Sequence, residues 1–347
     1  VAIGQTLGDK FLTGTGLEDA FYDILAGAGR ATCLFAAMDL GLDRALAQGP
    51  LTEAEIVERL QLDRHRGHKW LVLLETVGLI ESARDPGSGE VRYANAALMA
   101  TLAIPQYSYF YREFMRFWRT AAMHEMSGVV RGAPVPVTVQ YPPQVDSEVA
   151  LLHDWMREGA LVTLDVIERS YDFSQVRRIL DVGGGDATIA CALVKRHPAL
   201  HSTVFNLPKA AALGRANVAA QGLGERVEIF VGDFFKDPLP QRGFDLVMFS
   251  RVLADWSPEV CRMLLTKAHA ALAPDGWLLV AEPFRDQNPD LSIAWEHSYL
   301  PYDDFGAYVY KTTDSYKELF TEAGFSDIHE FPRDDRSIHG VLTARRR

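Results

Sequence analysis

The chain has 347 residues, 48% hydrophobic and 23% charged, a length and makeup that suit about two globular domains with real cores. No stretch approaching about eighteen apolar residues occurs, which excludes a membrane-spanning helix and removes a membrane from the expected partners. With 35 basic against 46 acidic residues, a net charge of −11, a broad phosphate-binding face is not expected, and so neither is nucleic acid.

Cys33, Cys191 and Cys261 are scattered without CxxC or Cys/His ligand spacing, which argues against a disulfide framework and a structural zinc; no metal is expected. The amino-terminal run VAIGQTLGDK lacks the basic flank and apolar core of a signal peptide. A cytoplasmic setting is the expectation, and the missing initiator methionine suggests a trimmed terminus.

The first hundred residues read as helices. Between Leu17 and Leu46 the apolar positions Phe21, Ile24, Leu25, Leu34, Phe35, Met38 and Leu42 recur at threes and fours. Thr52 and Glu55 form a capping box opening a helix over Glu53–Leu60. A second helix follows over Lys69–Val77, then a ribbon of Leu79–Ser82 and Val91–Tyr93 around a turn at 85–89. Helices followed by a small β-ribbon give the plan of a winged helix. Its recognition segment, Arg64–Glu75, carries Trp70, Leu71, Val72, Leu73 and Leu74, the content of a buried helix. Its basic residues fall short of the roughly 6 to 10 phosphate contacts of a DNA binder. Packing or dimerisation is the expected role of residues 1–105, and the surplus of apolar helix predicts a homodimer.

Residues 106–150 read as a linker helix, Tyr107–Trp118, and a loop with Pro134, Pro136, Pro142 and Pro143. From 151 to 347 short apolar runs alternate with helices. The strands are Arg178–Val182, Thr203–Asn206, Val227–Val231, Leu246–Ser250 and Trp277–Glu282; the helices are Thr188–Arg196, Ala210–Gln221 and Glu259–Leu272. Single helices between strands imply an α/β, doubly wound, mostly parallel sheet, its ligand at the carboxyl ends of the strands.

The sharpest local signal is Ile179-Leu180-Asp181-Val182-Gly183-Gly184-Gly185-Asp186-Ala187, a buried strand that runs through glycines into a helix. Such a turn lets backbone N–H groups approach a ligand. A dinucleotide pyrophosphate and S-adenosylmethionine both use this geometry. Asp181 and Asp186 would repel the first and suit the sulfonium and ammonium of the second, so the methyl donor is favoured. Val231-Gly232-Asp233-Phe234-Phe235 closes a later strand with a carboxylate and an aromatic ring. Asp233 there can accept from an adenine amino group while Phe234 covers the ring, although an aspartate in a turn is also a common structural device.

These segments, with Phe-Asn-Leu-Pro at 205–208, Ser-Arg-Val-Leu-Ala-Asp-Trp-Ser-Pro-Glu at 250–259 and Leu-Ala-Pro-Asp-Gly-Trp-Leu-Leu at 272–279, resemble the second family of S-adenosylmethionine-dependent O-methyltransferases. That family includes the plant caffeic acid type and bacterial enzymes of antibiotic and pigment pathways. The resemblance implies a Rossmann-like class I methyltransferase domain behind a winged-helix-like dimerisation domain, and a homodimer with its substrate pocket between the domains. It also implies that S-adenosylhomocysteine is a product. Carried over by position, Asp181, Gly183 and Gly185 would contact the donor's methionine and ribose, Asp233 and Phe234 its adenine, and Ser250 and Arg251 the methionyl side. Met156 would pack by the methyl group, unless it is helix core.

Two departures stand out. Asn206 occupies the place of an aspartate that holds the ribose hydroxyls, and an amide can still bond a hydroxyl. Ala254, in Leu253-Ala254-Asp255-Trp256, replaces the general-base histidine. A general base is worth about 10² to 10⁴-fold against roughly 7 to 11 kcal/mol from positioning, so activity is still expected. A family member that binds the donor and has lost methyl transfer is the alternative. The resemblance extends to pigment-ring C-methyltransferases that also lack that histidine, and it points to His297, beside Glu296 in Trp295-Glu296-His297-Ser298-Tyr299, as the replacement base. A polar, pocket-lining histidine is the bland alternative. Asp255 is the next candidate, or else a helix N-cap. Met156, Trp295, Tyr299 and Tyr109 are the expected substrate-binding residues for an aromatic small molecule. Arg116, which shares one helix face with Arg112 and Arg119, would meet a substrate carboxylate. The acceptor atom is then a ring carbon activated by a hydroxyl, or the hydroxyl oxygen itself.

Overall fold

A computed structural model describes residues 17–122, 124–136, 145–301, 310–333 and 337–347. The expectations for Pro142 and Pro143 fall outside these residues, as do the side chains of Tyr107 and Tyr109. The chain divides into two compact units, residues 1–116 and residues 117–347.

In the first unit α1 (Leu17–Leu40) and α2 (Leu42–Leu46) precede β1 (Leu51–Thr52), α3 (Glu53–Arg59) and α4 (Arg64–Thr76); β2 (Ile80–Arg84), β3 (Val91–Asn95) and α5 (Ala97–Leu102) follow. Gly41, at φ +76°, supplies the left-handed residue that separates α1 from α2. The capping box is present in full: the Glu55 N–H donates to Thr52 Oγ1 at 3.3 Å and the Thr52 N–H to Glu55 Oε2 at 2.7 Å. The three strands form an antiparallel sheet in the order β1-β3-β2, the wing of a winged helix.

The α4 helix differs from expectation in two ways. It starts at Arg64 because the Asp63 carboxylate accepts from the Arg66 N–H at 2.8 Å. It is also buried along one face only: Gly67, Leu71 and Leu74 pack inward, while Val72 and Leu73 are 47% and 45% exposed. Consecutive residues on a helix diverge by about 100°, so five apolar neighbours cannot share one face.

The long helix α6 (Pro105–Ala122) opens on a proline at its first position. Arg112 does not project to a ligand. Its Nη2 pairs with the fully buried Asp43 at 2.8 Å, its Nη1 donates to the Met38 carbonyl and its Nε to Ser108 Oγ, which removes it from the substrate-binding expectation. Arg116 pairs with Glu113 on the same helix at 2.8 Å.

The second unit continues with α7 (Met126–Val130) and α8 (Asp146–Ser170), then β4 (Arg178–Val182), α9 (Thr188–Arg196), β5 (His201–Asn206), α10 (Pro208–Ala220) and β6 (Val227–Val231). It closes with β7 (Phe244–Ser250), α11 (Pro258–Ala271), β8 (Leu272–Glu282), α12 (Pro289–Tyr299), α13 (Thr313–Glu322), β9 (Phe325–Phe331) and β10 (Gly340–Arg346). The sheet runs β6-β5-β4-β7-β8-β10-β9, parallel from β6 to β8 and antiparallel at β10 and β9.

Strand alternation distributes the core to both faces. Leu180, Val182, Val247, Phe249, Leu278 and Val280 pack with Leu264, Leu265 and Phe320. Ile179, Leu246, Met248 and Leu279 pack with Leu164 and Ile167 of α8 and Leu193 of α9. The order reverses at β4, between β5 and β7, which is where a doubly wound sheet opens a crevice at its carboxyl edge.

Candidate active site

A cleft of about 310 Å³ opens at that edge, lined by His153 and Met156 of α8, by Asp181 to Asp186, and by Asn206, Phe234, Ser250, Arg251, Asp255 and Trp256 among others. The glycines divide its construction between them. At Gly183, φ +75°, a Cβ would meet Val252 Cγ2 at 2.8 Å, and at Gly184 it would lie 2.3 Å from Asp181 Oδ2. Gly185, φ +57°, has nothing within 4 Å of its absent side chain, so it is the position where the missing Cβ leaves room for a ligand. Gly184, which motif reasoning passed over, is the one that lets the loop close over Asp181.

Asp181 is 1% exposed and neither carboxylate oxygen has a partner among the described residues. Burial pushes its pKa up to about 7, against the pull of Arg251. The hydroxyl of Ser250 is likewise buried and unpartnered. Orphaned polar atoms around an open glycine turn fit a polar cationic ligand with an amino-acid end, as the methyl donor is. Arg251, in a left-handed conformation at φ +57°, donates from Nη2 to the Met156 carbonyl at 2.7 Å and so ties α8 to the end of β7.

Other expected donor residues are partly engaged by the protein. Asn206 donates to the Gly185 carbonyl at 3.1 Å and accepts from the Leu207 N–H at 2.9 Å. Asp233 accepts from the Phe235 N–H and pairs with Lys236 at 3.0 Å, which lowers its pKa, and it is not among the cleft-lining residues. Phe234 does line the cleft, edge-on to Trp256 at 5.8 Å. His153, one of the histidines without a visible partner in the sequence, lies in the cleft and faces Asp186 at 3.4 Å.

The segment after β7 is held at both of its backbone polarities. Glu282, fully buried, accepts from the N–H groups of Val252, Leu253 and Ala254 at 2.7, 2.8 and 3.4 Å; burial raises its pKa to about 8. Lys311 donates to the carbonyls of Leu253 and Ala254 at 3.0 and 3.2 Å, and burial lowers its pKa. Neither residue was visible as functional in the sequence. Asp255 ends the 3₁₀ turn 253–255 and lines the cleft, while the cap of α11 is Ser257, whose hydroxyl accepts from the Val260 N–H. Ala254 is 5% exposed.

Trp295 stacks between Trp155 at 5.7 Å and Tyr299 at 6.0 Å, with Tyr310 edge-on at 6.2 Å. Trp155, the neighbour of Met156, was missed in the sequence and completes this ladder. On the same helix, His297 lies against Trp118 with ring centroids 4.6 Å apart. Its Nδ1 is buried without a partner among the described residues, and burial lowers its pKa by disfavouring the charged imidazolium. Glu296 pairs with Arg285 at 3.1 Å rather than with His297.

A doubly wound sheet with an open glycine turn facing buried carboxylates defines a class I methyltransferase. Residues 133–326 match the model of the O-methyltransferase domain. A 3-hydroxy-5-methyl-1-naphthoate 3-O-methyltransferase of Streptomyces sahachiroi is 30% identical over 77% of this chain and 77% of its own. An L-tyrosine C(3)-methyltransferase of Streptomyces lavendulae is 30% identical over 55% of this chain and 53% of its own. The solved apo structure of the S-adenosylmethionine-dependent methyltransferase SibL superposes with a TM-score of 0.76 at 29% identity, covering 94% of this chain and 98% of that one. The chain belongs to this O-methyltransferase family and is an S-adenosylmethionine-dependent methyltransferase.

Proposed function

We propose that the protein methylates an aromatic small molecule of bacterial secondary metabolism at a ring carbon ortho or para to a hydroxyl, working as a homodimer. The observation that carries the carbon assignment is the pairing of Ala254 at the family's base position with His297, whose buried Nδ1 has no partner among the described residues. When bound, S-adenosylmethionine supplies a methyl group on a sulfonium leaving group. His297 accepts the phenolic proton, which raises electron density at the ortho and para carbons; the ring carbon that takes the methyl group then loses its own proton to solvent, which restores aromaticity, and the phenoxide recovers its proton from His297. The stacked Trp155, Trp295 and Tyr299 give a flat ring an apolar wall. Alignment and exclusion of water then supply most of the acceleration.

The name of the relative that methylates a tyrosine carbon supports this reading. The naphthoate relative's name favours a second reading, methylation of the hydroxyl oxygen itself. Incubation of a phenolic library with a donor carrying a ¹³C methyl separates them: an aryl-carbon methyl signal by NMR is expected, and a methoxy signal would replace the first reading by the second.

A further inference from the structure

The α8 wall of the cleft carries a charge feature that adenine and ribose contacts do not use. The His153 side chain is 18% exposed, and its Nε2 lies 3.4 Å from Oδ2 of Asp186, whose side chain is 9% exposed. Both residues line the cleft beside the three glycines. Oδ1 of Asp186 is committed to Thr188, accepting from its N–H at 3.0 Å and its hydroxyl at 2.6 Å, which leaves Oδ2 for a ligand. Arg157, also on this wall, is turned to Asp154 at 3.1 Å and stays 46% exposed. Asp181 and Ser250, whose buried side-chain oxygens have no partner among the described residues, line the same cleft and mark it as suited to a polar group.

The donor ends in an α-ammonium and an α-carboxylate on one carbon atom. A histidine facing a carboxylate near hydrogen-bond distance offers the complement of both, a ring N–H to donate to the carboxylate and carboxylate oxygens to accept from the ammonium. We propose that His153 and Asp186 seat the amino-acid end of the donor. His153 Nε2 donates to the α-carboxylate, and Asp186 Oδ2 accepts from the α-ammonium. The inference rests on the family's donor binding and adds which side chains read the two charges.

Calorimetric titration of the full chain with three probes tests it: S-adenosylhomocysteine, its decarboxylated analogue, which keeps the amine, and 5′-methylthioadenosine, which carries neither charge. A hydrogen bond to a charged group is worth about 1.5–3 kcal/mol, so His153→Ala should weaken S-adenosylhomocysteine about 10-fold or more. The two truncated probes should change by less than about twofold. His153→Gln, which keeps an N–H donor, should recover most of the loss. Asp186→Asn keeps an acceptor for Thr188 and should weaken both amine-bearing probes while sparing methylthioadenosine. If His153→Ala weakens all three probes equally, the residue merely ties α8 to the sheet and the proposal is overturned; the same follows if it weakens none. A wild-type chain that binds no probe would overturn donor binding itself, and this inference with it.

Discussion

Ala254 leaves the family's base position without a titratable side chain, so a proton acceptor for the acceptor hydroxyl must come from another residue. His297 has properties that suit the role: it is half-buried against Trp118, burial lowers its pKa, and it holds a buried nitrogen with no partner among the described residues. His297→Ala should therefore lower the chemical rate by about 10²-fold or more and leave S-adenosylhomocysteine affinity unchanged; full activity in that variant would remove His297 as the base. Ala254→His is the converse probe. It should raise turnover if oxygen is the acceptor and obstruct the ring if carbon is. At this scale the sequence was informative where chemistry and backbone share one short segment, as in Asp181 to Gly185. Asp233 was read as an adenine contact; an aspartate in a turn also hydrogen-bonds its own backbone two residues on, and here the Phe235 N–H takes Oδ1. His153 was illegible since its partner Asp186 arrives from another element and no local spacing announces the pair.

Elements hold these residues in place through groups that never touch substrate. Glu282 and Lys311 grip the Val252–Ala254 segment from opposite sides, one accepting its N–H groups and the other donating to its carbonyls. Glu282→Leu would orphan buried N–H groups at about 1–3 kcal/mol each, and it should lower the melting temperature well beyond Glu282→Gln, whose amide oxygen still accepts. Equal melting curves for the two variants would contradict the clamp. A second tie joins α8 to the residue before β10: His339, 4% exposed, faces Thr163 Oγ1 at 3.3 Å, and burial drives its pKa down to about 3. The fold thus keeps this imidazole neutral while the unfolded chain protonates it below about pH 6.5. Its contribution to stability is full above pH 6.5 and is lost as pH falls toward 3. Chemical denaturation across that window should show a shallower pH dependence for His339→Gln than for wild type, by up to about 1.4 kcal/mol per pH unit. The parallel strands were legible because each is a short apolar run and all but β6 are followed by their own helix. The antiparallel β9 and β10 were not anticipated: β10 inserts between β8 and β9, and such a pairing is set by long-range contact rather than by local pattern.

For the whole molecule the informative feature is surface that a lone chain has no reason to keep. In α1, Phe21, Tyr22, Ile24 and Leu25 are 59%, 65%, 60% and 51% exposed, and Leu40 at its end is 42% exposed. Monomeric proteins rarely present large contiguous apolar patches, because each exposed apolar area costs about 25 cal/mol per Å² relative to burial. The periodicity that announced an amphipathic helix was readable from Phe21 onward, but which face meets water was not, since a helix covered by a second copy has the same pattern as one covered by its own core. A two-fold pairing in which each copy covers the other's α1 satisfies both facts with one contact type. Sedimentation equilibrium at micromolar concentration should therefore give twice the chain mass of 38.6 kDa. The double substitution Phe21→Asp and Leu25→Asp should return the chain to monomer mass, since two charges in an apolar interface face desolvation without a partner. The cleft lies wholly in residues 153–256, so S-adenosylhomocysteine binding should survive that substitution. A wild-type chain that sediments as a monomer at these concentrations would refute the pairing, and so would a double variant that remains a dimer.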